Sequence, residues 1–374
     1  MSETRRRRGY LDFMRGLAVL VMIEAHVIDS WTRLDARHSW QFSWAMILGG
    51  FGAPLFLFLA GLSVSLSASS KLRRSGDVRS AARAVMRRGL WVFGLAFVFR
   101  IQAWALGLGS PRSLLKVDIL NIMGPGIVAA AALWGAARTP RSRAVLFGAA
   151  ALAIALFAPI VRHTPILDGL PDALEGYLRP VPGRSNFCMF PWVGFVFAGG
   201  LIGVLIDEVR TSSEEATLNL RLFAFGTALT VGAYASSWLP SPYARSEFWG
   251  SSPAFFLIRT GVMMALIPMA YAWDARARVR AWFGSSGERE SHAEPWSPLQ
   301  QLGRSSLFVY WIHVEMVYGL ISLPIHKGLS HPAAWAALGV FALFMLACVM
   351  AKDRLIARRN GRPSVPPAPL YAAQ

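Results

Sequence analysis

Charge is scarce in this chain, and cysteine scarcer. Only 16% of its 374 residues are Asp, Glu, Lys or Arg, while 54% are hydrophobic. Soluble domains carry about 25% charged residues, so an ordinary soluble enzyme is excluded and a polytopic membrane protein is implied. Acidic residues are the rarer sign: 21 Asp and Glu against 38 Lys and Arg leave a net charge of +17. In a soluble protein that excess would point to nucleic acid. Here the basic residues cluster between apolar stretches, so topology and anionic lipid account for them and no nucleic-acid partner is expected. The two cysteines, Cys188 and Cys348, fall on opposite sides of the topology set out below. A disulfide is therefore not expected, and no metal framework is implied. There is no GxxxxGK[ST] loop to cradle a nucleotide triphosphate. There is no internal repeat, so an inverted-repeat transporter gains no support. No small-residue cleavage site follows the basic run Arg5–Arg8, so the first apolar stretch is expected to be a retained helix and not a signal peptide.

What is present is organised around that stretch, Tyr10 to Trp31, YLDFMRGLAVLVMIEAHVIDSW. A hydrocarbon core of about 30 Å needs roughly 20 helical residues, so it is long enough to cross. It nevertheless carries Asp12, Arg15, Glu24, His26 and Asp29. Ionisable groups inside a span cost on the order of 3 kcal/mol each on insertion scales and mark functional sites by default. Asp12 and Arg15 can pair at i,i+3 near the inner interface, and Asp29 can reach the outer one. Glu24 and His26 lie deeper, and His26 is the first candidate for chemistry. The two are i,i+2, so they cannot face each other on one regular helix.

Apolar stretches follow at 43–68, 88–107, 115–137, 142–160, 190–207, 221–239, 254–273, 302–323 and 333–351. Together with 10–30 they predict an all-α protein of about ten transmembrane helices. Arg5–Arg8, the run Lys71 to Arg88, Arg138 to Arg143, Arg276 to Arg280 and Lys352 to Arg362 all fall on one side if both termini are cytoplasmic. This reads as a single transmembrane domain over 1–351, followed by a basic, Pro-rich tail, 352–374, expected to be disordered. The multi-pass helical form favours an inner (plasma) membrane, since outer-membrane proteins are usually barrels.

Within the second stretch, Pro54 is expected to kink the helix, and Gly61, Ser63, Ser65 and Ser67 supply a small-residue packing face. The basic segment containing Arg87 and Arg88 suits bidentate phosphate contacts, as on a coenzyme A donor. Arg100, Asp118 and Asn121 form either an ion pair across neighbouring helices or the lining of a polar cavity shared with Glu24 and His26. The long outer loop 161–189 is acidic and aromatic; Tyr177 could touch a sugar-like acceptor, or the loop is simply solvated. Residues 274–300 read as a polar cytoplasmic linker. His313 is either a packing histidine or a further member of the polar site, and with Glu315 at i,i+2 it makes a poor metal site.

The motifs in order resemble the superfamily of membrane acyltransferases. That superfamily includes the acyltransferase-3 family and the heparan-alpha-glucosaminide N-acetyltransferase-like family, with its bacterial relatives of unknown function. LDFMRGLAVLVMIEAH has an Arg, ten residues and a His, here Arg15 and His26. FGAPLFLFLAGLSVSLS resembles the second helix of the glucosaminide acetyltransferase-like family. It follows RHSW, which puts His38 near the position of that family's catalytic histidine. FPWVGFVFAGGLIG and LGRSSLFVYWIHV resemble later helices. The resemblance implies transfer of an acetyl (acyl) group from cytoplasmic acetyl-CoA to a sugar or glycan acceptor across the membrane. Its base or nucleophile would be His26 or His38. Arg15, Arg87 and Arg88 would hold the donor's phosphates, and Glu24, Asp29, Arg100, Asp118, Asn121 and His313 would support the polar site. The alternatives are a proton-coupled transporter or flippase using the same polar residues, and a non-catalytic membrane protein of the same fold.

Overall fold

The computed structural model describes residues 8–107, 111–284 and 296–359. Arg5, Arg6 and Arg7 of the first basic run, 285–295 of the expected linker and 360–374 of the expected tail lie outside the described residues. In chain order the described helices are α1 (Gly9–Trp31), α2 (Trp40–Gly49), α3 (Gly52–Ser75), α4 (Val78–Gly107), α5 (Ile119–Ala136), α6 (Pro140–His163), α7 (Asp172–Leu178), α8 (Met189–Glu208), α9 (Ser212–Ser236), α10 (Pro253–Gly284), α11 (Pro298–Arg304), α12 (Ser306–Tyr318) and α13 (His331–Arg359). The described residues hold no β-strand, only isolated bridges between Thr32 and Leu329 and between Val117 and Ser185. Among the described residues, six helical stretches are long and apolar enough to cross a membrane: Trp40–Ser75, Ile119–Ala136, Pro140–His163, Met189–Glu208, Pro253–Arg276 and His331–Arg359. The chain is thus an all-α membrane protein. α1 has the length, at 23 residues, but carries Asp12, Arg15, Glu24 and Asp29.

The chain divides into two compact units, Met1–Gly52 with Ile267–Gln374, and Ala53–Leu266. The first is built on α1. Met14, Ala18, Ile23, Val27 and Ile28 are fully buried. In its N-terminal half α1 crosses α11 so closely that a Cβ on Gly16 would stand 1.9 Å from the Leu299 carbonyl oxygen. A Cβ on Gly303 would stand 2.0 Å from that of Asp12. Only glycine on both helices permits that approach. At its C-terminal end, the Ser30 hydroxyl and the Trp31 indole N–H donate to the Val317 carbonyl at 3.1 and 3.2 Å. This satisfies one of the last-turn acceptors of α12 that the helix itself cannot pair.

Three expectations are corrected here. The stretch 302–323 is not one helix: it breaks at Ser305, whose φ and ψ are −113° and 22°, and leaves the helical path again after Tyr318. The Lys352 ammonium donates to the Ser305 hydroxyl at 2.5 Å. Residues 352–359, expected in a disordered tail, continue α13, and Lys352 and Asp353 are ordered by contacts with Ser305 and Gln301. Residues 274–284, expected in the linker, likewise continue α10.

In the second unit α3 and α8 meet through another reciprocal glycine pair. A Cβ on Gly61 would stand 1.8 Å from the Val196 carbonyl oxygen, and one on Gly199 1.8 Å from that of Phe58. The Ser65 hydroxyl donates to the Gly200 carbonyl at 2.7 Å, so the small face of this stretch packs as expected. The stretch breaks at Gly50 and Phe51, four and three residues before Pro54, where a proline's ring and missing N–H disrupt a helix; Pro54 itself sits in the first turn of α3.

The segment after α6 is folded around Arg179, which pairs with Asp168 at 2.5 Å and Glu175 at 2.6 Å and donates to the Thr164 carbonyl at 2.7 Å. Charge-assisted bonds of this kind are the stronger class. Arg179→Ala is expected to destabilise this segment by about 1–2 kcal/mol, read as faster limited proteolysis between Thr164 and Arg179 with the helical signal unchanged.

Candidate functional site

Two of the expected polar residues meet in the first unit. His26 Nδ1 lies 2.9 Å from His313 Nε2, although 287 positions separate them in the chain. The rings are nearly parallel, at 8°, with centroids 5.1 Å apart. His313 is fully buried. It stands one turn after Val309, and its Nδ1 lies 2.8 Å from the Val309 carbonyl oxygen. Helical side chains lean toward the N-terminus, which is why this ring folds back onto the i−4 carbonyl. Tyr318 meets His26 in a T-shaped contact, at 5.4 Å between centroids, and Tyr310 does the same with His313 at 5.9 Å.

The carboxylates of α1 do other things. Glu24 is buried, at 4% exposure, and neither of its carboxylate oxygens has a hydrogen-bond partner among the described residues. It lies toward α2, where a Cβ on Gly49 would be 3.1 Å from its Oε2. Asp29 is paired with Arg37 at 3.4 Å, and Arg37 donates to the Thr32 carbonyl at 3.3 Å and also to that of Asp29. His38 ends the short 3-10 turn Leu34–His38. It is exposed, and no hydrogen bond holds it among the described residues. Of the two candidate histidines, His26 therefore has an orienting partner and His38 does not.

Arg15 pairs with Asp12 at 2.8 Å, as the i,i+3 spacing predicts. Asp12, only 1% exposed, is also approached by Arg304 at 3.6 Å. His26 stands eleven positions after Arg15, close to three turns at 3.6 residues each, so they fall on one face of α1 about 16 Å apart. Arg87 and Arg88 are exposed on α4.

The second unit gathers the remaining candidates. Arg100 pairs with Asp118 at 2.5 Å, and both are largely buried. Asp118 caps α5, with Asn121 completing a capping box. The Asn121 amide donates to the Tyr177 hydroxyl at 3.3 Å. Burial raises the Tyr177 phenol above its ordinary range, so it stays protonated. Arg100 and Asp118 thus form an ion pair between α4 and the start of α5, and Asn121 stands beside it in the cap. Cys188 is no nucleophile. Its thiol is 1% exposed, and burial, opposed by Arg162, pushes it up to about 11.

Sequence reasoning missed the contact of His26 with Tyr318 and the second partner of Asp12. Arg304 stands in the quoted LGRSS motif, so its charge beside an apolar run was the available signal. Nothing local marks Tyr318.

The family model for heparan-alpha-glucosaminide N-acetyltransferase, catalytic, matches residues 7–236. That region contains α1, His26 and His38, while His313 lies beyond it. No curated protein matches the chain.

Proposed function

The chain belongs to the heparan-alpha-glucosaminide N-acetyltransferase catalytic family, and from that premise we propose that it moves an acetyl group from cytoplasmic acetyl-CoA to a sugar or glycan acceptor on the far side of the membrane. The observation that carries this reading is the contact of His26 with His313 on the helix that opens the family region. A histidine held by a hydrogen-bonded partner is the arrangement a general base requires. His26 takes the proton of the acceptor hydroxyl or amine as its oxygen or nitrogen bonds to the acetyl carbonyl carbon. The carbon–sulfur bond then breaks, coenzyme A leaves as thiolate, and the imidazolium returns the proton to sulfur. Histidine suits the task because its ordinary pKa is about 6.5.

Arg15, Arg87 and Arg88 are assigned to the donor's phosphates. The shared face of Arg15 and His26 supports a donor lying along α1 with its thioester outward. Ten apolar stretches cross an inner (plasma) membrane on this reading, with both termini cytoplasmic, as the one-sided distribution of Lys and Arg supports.

Saturable binding of acetyl-CoA to the purified protein in nanodiscs tests the donor. Arg87→Ala/Arg88→Ala is expected to weaken it about tenfold, since charge-assisted phosphate contacts contribute roughly 1.5–3 kcal/mol. Absence of saturable binding by folded protein, or solute movement with no acyl donor present, would overturn the reading in favour of a transporter.

A further inference from the structure

His313 is buried, and its two nitrogens face two different partners. Nδ1 meets the Val309 carbonyl at 2.8 Å, and Nε2 meets His26 Nδ1 at 2.9 Å. A carbonyl oxygen only accepts, so the first contact requires the proton of His313 on Nδ1. In a neutral imidazole the other nitrogen is then an acceptor. His313 Nε2 therefore accepts from His26, which requires the proton of His26 on Nδ1. The lone pair of His26 then sits on Nε2. Each assignment follows from the one before it, and the chain begins at a main-chain carbonyl that cannot change its role.

We propose that His313 is a positioning residue that sets the tautomer of His26, so that base chemistry is performed by His26 Nε2 and not by Nδ1. This rests on the reading of His26 as the base. It adds which nitrogen acts, and it assigns a residue outside the family-matched region to the reaction. In water an isolated imidazole takes the opposite form, with the proton on Nε2, so the fold must supply this preference. The rings' near-parallel stacking and the T-shaped contacts of Tyr310 and Tyr318 fix the plane in which the bond is made.

The first test is nitrogen NMR of histidine-labelled full-length protein in nanodiscs, with resonances assigned through His26→Ala and His313→Phe. Wild type is expected to show His26 protonated on Nδ1 and bare on Nε2. The opposite form would overturn the inference. The second test is kinetic. His313→Phe keeps the ring volume but offers no acceptor, and is expected to lower kcat about 100-fold with the acetyl-CoA KM changed less than about threefold. His313→Gln places a carboxamide oxygen where Nε2 stood, within reach of His26, and is expected to recover at least about tenfold of that loss. Equal activity of His313→Phe and His313→Gln, or full activity of His313→Phe, would overturn the positioning role. The underlying reading fails differently: His26→Ala would then be active whatever stands at 313.

Discussion

His26→Ala is expected to bind acetyl-CoA and to transfer its acetyl group about 100- to 10,000-fold more slowly than wild type, the span that a positioned general base contributes. The expectation is specific because His26 is half-buried and its ring makes a bond that nothing else on α1 can replace. Glu24 lies toward α2, and Asp29 is taken by Arg37. The substitution also leaves His313 Nε2 without its donor, a buried unsatisfied acceptor that costs about 1–3 kcal/mol. Thermal unfolding must therefore be recorded beside the turnover measurement. A small loss of stability with intact donor binding and lost transfer identifies chemistry as the defect. His38→Ala is the companion variant. It is exposed and held by no hydrogen bond, so its removal should barely move stability. If His38→Ala abolishes transfer while His26→Ala remains active, the base is assigned to the wrong histidine.

Gly16→Val is expected to cost about 3 kcal/mol or more, at the upper end of overpacking effects, and to abolish transfer without touching a reacting group. Its Cβ would meet the Leu299 carbonyl oxygen at 1.9 Å, where ordinary contact is near about 3.5 Å. No rotamer relieves a clash between a Cβ and main chain, so α1 and α11 must separate. The register that brings His26 against His313 depends on that crossing, because α12 follows α11 after a single residue. Gly94→Ala is the control, since a Cβ there meets nothing within 4 Å. It should be neutral or stabilising by about 0.5–1 kcal/mol, the helix-interior difference between the two residues. Size-exclusion behaviour and unfolding temperature in detergent report both results. A Gly16→Val protein as stable as wild type would show that the crossing can open.

The helical class, the apolar stretches and the importance of α1 were legible in the sequence because each is written in local composition. So was the pairing of Asp12 with Arg15, a matter of i,i+3 spacing, and the small face of α3. What was not legible is instructive in its causes. The His313 contact joins residues 287 positions apart, and periodicity within one helix says nothing about which face meets which partner. The break at Ser305 follows from a crossing with α1 that only the fold reveals. The continuation of α13 through Arg359 was masked by basic residues, which mark the cytoplasmic side and a disordered tail equally well. The acidic loop after α6 gave no hint that Arg179 would gather Asp168, Glu175 and a carbonyl around itself, because that cluster is assembled by a turn.

α1 is held twice: by the glycine crossing with α11 in its N-terminal half, and by Ser30 and Trp31 on the last turn of α12 at its C-terminal end. A rod pinned twice does not slide along its axis, so His26 has a fixed depth. On the proposed reading the histidine cannot ferry an acetyl group from one face of the membrane to the other. The journey belongs to the flexible arm of coenzyme A, and the fixed imidazole acts as a ruler for it. Shortened or lengthened donor arms should then discriminate by reach, with the thioester falling short of His26 or overshooting it.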